Sequence, residues 1–349
     1  MIHAGIYYAP GSLKARLCVE GSRLLYAYCD EAGIETRREG KLIIAAEESE
    51  LPRLDELERR GRANQVPGLR RVAGDEIAEI EPHARGIAAL HSPRTGVVDF
   101  ARVATAFAAD VAAAGGDVVT GCEVRGLTPR AGGVGVQHAR GSTDAGLVIS
   151  CAGAWSDRLA IAAGAPAEPR IVPFRGAYLR LRPERRELVR ASIYPVPDPE
   201  LPFLGGHLTR VIDGEVLLGP SALMVGARDA YRVGRVRWHD LASNLAWPGT
   251  WRLAGRFWRT GLAELRHAAS RRAFVAELRR FVPELDSADV LPGPSGVRAQ
   301  AVDRDGRLVD DFVVHHTERA LHVRNAPSPA ATSSLALAKL IADQAEELG

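Results

Sequence analysis

Residues 320–342 read ALHVRNAPSPAATSSLALAKLIA, and the spacing of their apolar positions changes period within a few residues. Leu321 and Val323 predict a buried strand, Asn325 and two prolines a tight loop, and the apolar spacing from about Ala330 a helix. The loop is nearly all small side chains, so a large planar ligand can lie against its backbone. The helix start that follows offers unpaired N–H groups and a positive dipole end. The same texture recurs in AGLVISCAGAWSDRLA, with a strand over 147–150, a small-residue turn over 151–154 and a helix entered at Trp155 or Ser156. Two such turns can grip opposite parts of one long ligand. An ordinary strand–loop–helix connection is the competing reading of each.

The rest of the chain alternates between the two periods. Ser12 caps a helix over about 13–32 that carries Leu17, Leu24, Leu25 and Tyr28 on one face, and Gly33 stops it. A strand over 41–46 leads to a charged helix over 49–64 and a short helix that ends before Pro82. GIAALHSPRTGVVD reads as a hairpin with its turn at 93–96, and a helix over 100–114 ends at Gly115 and Gly116. A β meander follows. From Arg170 the texture becomes that of an antiparallel sheet with helices on one face, and Trp238, Trp247, Trp251 and Trp258 fall in a mixed helical and loop region. This predicts a mixed α/β (α+β) chain of two discontinuous units. Residues 1–40, 97–165 and 290–349 form a cofactor domain, and 41–96 and 166–289 an inserted antiparallel substrate domain.

Composition narrows the function. The 349 residues, 46% of them hydrophobic, support two cores, and a net charge of +2 argues against nucleic acid as a partner. Of 45 basic residues only Lys14, Lys41 and Lys339 are lysine, so each lysine departs from the chain's default. Cys18, Cys29, Cys122 and Cys151 show neither CxxC pairing nor metal-ligand spacing and read as structural thiols in a reducing compartment. No apolar run is long enough to span a bilayer, MIHAGIYY lacks a basic n-region, and no clear amphipathic anchor stands out. The expected location is therefore the cytoplasm, with peripheral contact at the inner face of the membrane left open. Ser, His and Asp show no nucleophile elbow, which argues against hydrolase chemistry.

Five long segments carry a family likeness. HAGIYYAPGSLKARLC, IVPFRGAY, IYPVPDPELPFLG, GVRAQAVDRDGRLVDDF and HVRNAPSPAATSSLA together resemble the L-2-hydroxyglutarate dehydrogenase/oxidase family, among the D-amino-acid-oxidase-like FAD enzymes, over nearly the whole chain. The resemblance implies a Rossmann-like FAD domain capped by the inserted substrate domain. It implies oxidation of L-2-hydroxyglutarate, a small 2-hydroxy dicarboxylate, to 2-oxoglutarate. An amino acid or glycerol 3-phosphate is the alternative substrate, and a non-catalytic remnant the alternative of another class. Oxygen, a quinone or an electron-transfer protein would leave similar motifs as acceptor.

Oxidising a 2-hydroxy acid needs a cation for its carboxylate, a base for the hydroxyl proton and a flavin edge facing the C2 hydrogen. Arg175 and Arg298 are both candidates for the first, since a guanidinium pairs two oxygens at once. A second carboxylate needs a further donor, which Lys14, Tyr194 or His207 can supply, with Tyr178 as a pocket wall beside Tyr7 and Tyr8. His3 is the preferred base over His207, and a packing histidine is its competing role. For FAD, the resemblance points to Ala152, Gly153 and Ala154, to Gly296 and Val297 near the ring, and to Ser328, Pro329, Ala330 and Ala331 at its pyrimidine edge. No metal is expected.

One departure stands out. The family's opening strand, GxGxxG turn and helix do not precede Met1, which sits where the family tends to have valine. The expectation is an N-terminal truncation through an internal GTG start, with about forty residues of a βαβ unit lost. A truncated gene is the rival. Without that unit the pyrophosphate lacks its helix anchor, so the chain as given is expected to hold FAD poorly. Reading the genomic DNA upstream should show an in-frame GxGxxG; its absence removes the internal-start explanation.

Overall fold

The computed structural model describes every residue except Glu200, Pro202, Phe203 and Gly349. Part of the IYPVPDPELPFLG motif therefore lies outside the described residues.

A nine-stranded sheet dominates. Its path runs Leu223–Met224, Arg170–Leu181, Val216–Gly219, His207–Arg210, Ser192–Pro195, Lys41–Ala45, Ala88–Ser92 and Arg70–Ala73, with Val290–Val302 also paired to Arg170–Leu181. Neighbours are antiparallel except Ser192–Pro195 with Lys41–Ala45. Lys41–Ala45 is buried at every position, which explains its unbroken KLIIA run. Leu42 and Ile44 face a core with Phe274, Leu278 and Phe281, and Ile43 and Ala45 face another with Ile6, Leu54 and Leu57. The strand Val290–Val302, which the expected division puts in the cofactor unit, pairs with Arg170–Leu181 from Val302↔Arg170 to Val290↔Leu181. It contains Pro292 and Pro294, which an edge strand tolerates because their missing N–H groups can face away from the ladder.

The hairpin expected around Pro93 does not form. Ala88–Ser92 pairs with Lys41–Ala45 and Arg70–Ala73, while Val97–Val98 pairs with Thr36–Arg37 in a separate two-stranded sheet. Ser92 and Thr95 instead share a buried hydroxyl hydrogen bond, 2.9 Å long, that shapes the crossing between sheets.

The turns singled out in the sequence end two parallel neighbours. Val148–Ser150 lies beside Ala320–Asn325 with Leu321↔Ile149 in register, and Val313–Thr317 flanks the latter. The first helix, Leu13–Glu31, packs on the last, Ala330–Glu346, through Leu17, Leu337 and Ile341. Ser12 caps the first helix by accepting from the Ala15 N–H at 3.1 Å. At Gly21 an added Cβ would lie 2.6 Å from both the Ser333 Cα and the Thr332 carbonyl oxygen, so this crossing admits only glycine. Among the described residues no helix is long and apolar enough to cross a membrane.

Candidate active site

Both small-residue turns open onto one cavity. It measures about 170 Å³, and Cys151 and Gly153 line it from one turn, Asn325 and Ala326 from the other, and Ile171 and Ala299 from the large sheet. Parallel strands end here in loops that lead into helices, the place where α/β sheets bind nucleotides. Ser156 Oγ ties the turns together by donating to the Arg324 carbonyl oxygen at 3.1 Å. Gly153 has φ +53, and an added Cβ at Gly153 or Gly296 meets nothing within 4 Å, so both backbones are open to a flat ligand. Ala152 starts the short 3₁₀ turn Gly153–Trp155, and Val297 follows Gly296 in the edge strand. Ser328 and Ala331 are exposed, and no side chain caps the helix that begins at Ala330, with Pro329 at its N-cap. Asn325 Oδ1 and Ser333 Oγ are buried without a hydrogen-bond partner among the described residues. Open glycine backbone, a helix start and unpaired polar atoms fit a flavin dinucleotide.

Beside this cradle a second set of residues converges from distant parts of the chain. His3 is held at the start of the last helix, where its N–H donates to Thr332 Oγ1 at 3.1 Å. Its Nδ1 is buried and unpaired among the described residues. Burial, reinforced by the nearby charge of Lys41, holds the His3 imidazole well below its usual range, so the ring is neutral at pH 7. His207 stacks on Tyr194 with ring centroids 4.0 Å apart and an interplanar angle of 26°. Its Nδ1 lies 3.1 Å from the Gly205 carbonyl oxygen, and burial takes its pKa down to about 3. The charge of Arg298 reaches Tyr178, Tyr194 and His207.

Arg175 does not join this group. The register sets Arg298 opposite Phe174 and Arg175 opposite Val297. Directly opposed residues share a sheet face and successive ones alternate, so the two arginines project from opposite faces. Lys14 is engaged elsewhere, donating to Asp310 Oδ1 at 2.6 Å and to the Asp310 carbonyl at 2.9 Å.

Sequence reasoning missed two features. Lys41, buried to 1% exposure, sets its Nζ 4.5 Å from the Tyr7 ring centre and 4.9 Å from that of Tyr194. Its rarity in an arginine-rich chain and its place at the head of an apolar strand were the available signals. The other is a fully buried ion pair between Arg228 and Asp157. Arg228 grips both Asp157 oxygens and also donates to the Ala154 carbonyl in the small-residue turn. Among so many arginines, nothing in the sequence marks Arg228.

A family model described as FAD dependent oxidoreductase matches residues 1–344. L-2-hydroxyglutarate dehydrogenase, mitochondrial, of Nematostella vectensis is 47% identical over 99% of this chain and 80% of its own length. The Homo sapiens protein of the same name is 45% identical over 99% and 79%. L-2-hydroxyglutarate dehydrogenase of Indibacter alkaliphilus is 40% identical over 99% and 87%. Among solved structures, the FAD-bound L-alpha-glycerophosphate oxidase of Mycoplasma pneumoniae superposes with a TM-score of 0.78 at 20% identity, covering 99% of this chain and 83% of that one. Glycine oxidase of Geobacillus kaustophilus gives 0.67 at 18%, covering 100% and 83%. These likenesses establish the mixed α/β fold of FAD-binding oxidoreductases. They also overturn the cytoplasmic expectation: the Nematostella and human relatives are named as mitochondrial proteins, and an N-terminal composition says nothing about such a compartment.

Replacing one partner of the buried pair, as in Arg228→Met, should cost about 3–5 kcal/mol in a denaturant titration, because it strands Asp157 as a lone buried charge. Burial pushes the Asp157 carboxyl up, but the Arg228 hydrogen bond and charge together with two backbone donors outweigh it, and the net shift is downward. A carboxyl lowered by folding stabilises above its unfolded pKa of about 4, and that stability drains as pH falls through the folded value. The variant should therefore show a shallower loss of stability below about pH 4 than the wild type.

Proposed function

The chain belongs to the FAD-dependent oxidoreductases and, within them, to the L-2-hydroxyglutarate dehydrogenases, and from that premise we propose how its residues divide the work. The enzyme uses FAD to oxidise L-2-hydroxyglutarate to 2-oxoglutarate. The observation that carries the residue assignment is the convergence of His3, Tyr178, Tyr194, His207 and Arg298 beside the open backbone of Gly296.

Arg298 binds the carboxylate next to the reacting carbon, its planar fork matching two oxygens. Tyr178 and Tyr194 wall the pocket, and His207, neutral and oriented by Gly205, offers Nε2 to the substrate. His3 takes the hydroxyl proton. Kept neutral by burial and a neighbouring cation, it is in the accepting form before the substrate arrives. Bound FAD would supply the acceptor for the C2 hydride. Ala152–Ala154 and Gly296–Val297 would hold its ring, and residues 328–331 offer a helix start suited to negative charge. The large antiparallel sheet serves as the inserted substrate domain, and Arg175 projects from its opposite face, away from the substrate.

The surface of the helices between Trp238 and Ala269 supports peripheral contact with an anionic lipid surface, although the sequence offers no clear anchor. Trp238, Trp251 and Trp258 are 80%, 60% and 56% exposed, joined by Leu262 and Leu265. Six arginines lie between Trp238 and Arg272 against two acids, and of these Asp240 is buried. Aromatic rings with arginines are the residues that sit at a membrane interface. Such docking favours a quinone over oxygen or a soluble carrier as acceptor.

His3→Ala in the FAD-loaded enzyme should lower kcat by about 10²–10⁴-fold with L-2-hydroxyglutarate; a loss below tenfold removes His3 as the base. An amino acid or glycerol 3-phosphate turned over faster than L-2-hydroxyglutarate would overturn the substrate reading. Co-sedimentation should show binding to vesicles rich in phosphatidylglycerol, not to neutral ones, and the W238S/W251S/W258S triple variant should lose it.

A further inference from the structure

Lys41 is a buried cation without an anion. Every other residue of its strand is apolar and wholly buried, and its Nζ rests between the rings of Tyr7 and Tyr194. Among the described residues no carboxylate forms an ion pair with it and no acceptor a hydrogen bond. Two ring faces attract an ammonium, but by less than burying an uncompensated ion costs. A site of this kind waits for a negative charge from outside the protein.

Its place in the pocket says which charge. Along the strand, Lys41 shares a face with Ile43 and Ala45, the face covered by the N-terminal segment that carries His3 and Tyr7. The charge of Lys41 reaches both His3 and His207, and His207 also senses Arg298. Two cations thus flank the Tyr194–His207 stack from two different strands. Lys14, the other lysine in reach, is already neutralised by Asp310.

We propose that Lys41 binds the far carboxylate of the substrate and is the residue that makes this pocket select a 2-hydroxy dicarboxylate over a monocarboxylate of equal length. This rests on the oxidation of L-2-hydroxyglutarate stated above. Arg298 takes the carboxylate beside the reacting carbon and Lys41 the one at the other end. Burial lowers the Lys41 ammonium to about 7, so the empty pocket holds it partly neutral near physiological pH. Pairing with a carboxylate raises it again, and binding takes up a proton. The Met1 amino group, lowered by burial to about 6, loses its proton as that window opens, so uptake by it would shrink with rising pH where that of Lys41 grows. The remaining titratable groups facing Lys41 stay silent: burial keeps His3 and His207 neutral, and Tyr7, Tyr194 and the Cys18 thiol, the last pushed up to about 12, remain protonated.

The test uses the FAD-loaded protein, glutarate as the ligand, and L-2-hydroxyglutarate beside L-2-hydroxypentanoate as substrates. Titration calorimetry of the wild type in buffers of different ionisation enthalpy should show proton uptake on glutarate binding that grows from pH 6.5 to 8 (roughly the window around Lys41). Lys41→Met should melt at or above the wild type without ligand, because an unpaired buried charge is gone, and should no longer be raised by glutarate. Its kcat/KM ratio for the dicarboxylate over the monocarboxylate should fall about 100-fold, with the loss in KM, and Lys41→Arg should restore part of it. Equal losses on both substrates, a loss carried by kcat, or glutarate binding without proton uptake each overturn the proposal. If Lys41→Met does not fold, the wild-type calorimetry alone decides. A wild type that ignores L-2-hydroxyglutarate but oxidises another substrate overturns the function itself, which is distinct from an active wild type whose preference survives Lys41→Met.

Discussion

The architecture hangs on a charge pair that water never reaches. Asp157 accepts from the Ile171 N–H at the head of the longest antiparallel strand run, while Arg228 joins it to the Ala154 carbonyl and lends its own N–H to Asp240. Asp240 in turn pairs with Arg158 at 2.7 Å. The small-residue turn at Ala154, the large antiparallel sheet and the first of the tryptophan-bearing helices therefore share one polar knot. Buried pairs of this sort add little net stability, since desolvation consumes most of the attraction. What they do well is permit few alternatives: each oxygen and nitrogen must find its partner, so the two halves of the site have one relative placement.

Much of the site was legible because its residues sit in patterned segments. The small loops at Cys151 and Asn325 announced themselves by composition, and the structure sets their strands side by side in parallel register. The family, the cofactor and the substrate were readable from long motifs. Pairing was not. Whether Ala88–Ser92 folds back on Val97 or crosses to another sheet depends on which partners bury both its faces, and local sequence does not encode that. The same holds for Arg175 and Arg298, equivalent by motif but separated by the alternation of a strand whose partner lies more than a hundred residues away. Lys41 was half visible, conspicuous by type and silent about its surroundings.

The pocket's electrostatics follow one rule. Burial strips charge from the groups able to lose it here, so the two histidines are neutral and the lysine is poised. A neutral base beside fixed or recoverable cations suits a reaction that removes a proton from an anionic substrate. The cations hold the anion, and the base needs no prior deprotonation.

The hydrogen bond from the His3 N–H to Thr332 Oγ1 joins residues 329 positions apart, and Gly21 seats its helix on the same turn. The proposed base is thus held by an element made more than three hundred residues after it. On the ribosome the first segment emerges long before its partner, and no local contact can set the histidine in place in the interval. The His3 contact is complete only once both segments have been made. Until then the N-terminal strand segment and its apolar neighbours stay uncovered, an interval in which a chaperone has the most to offer this protein.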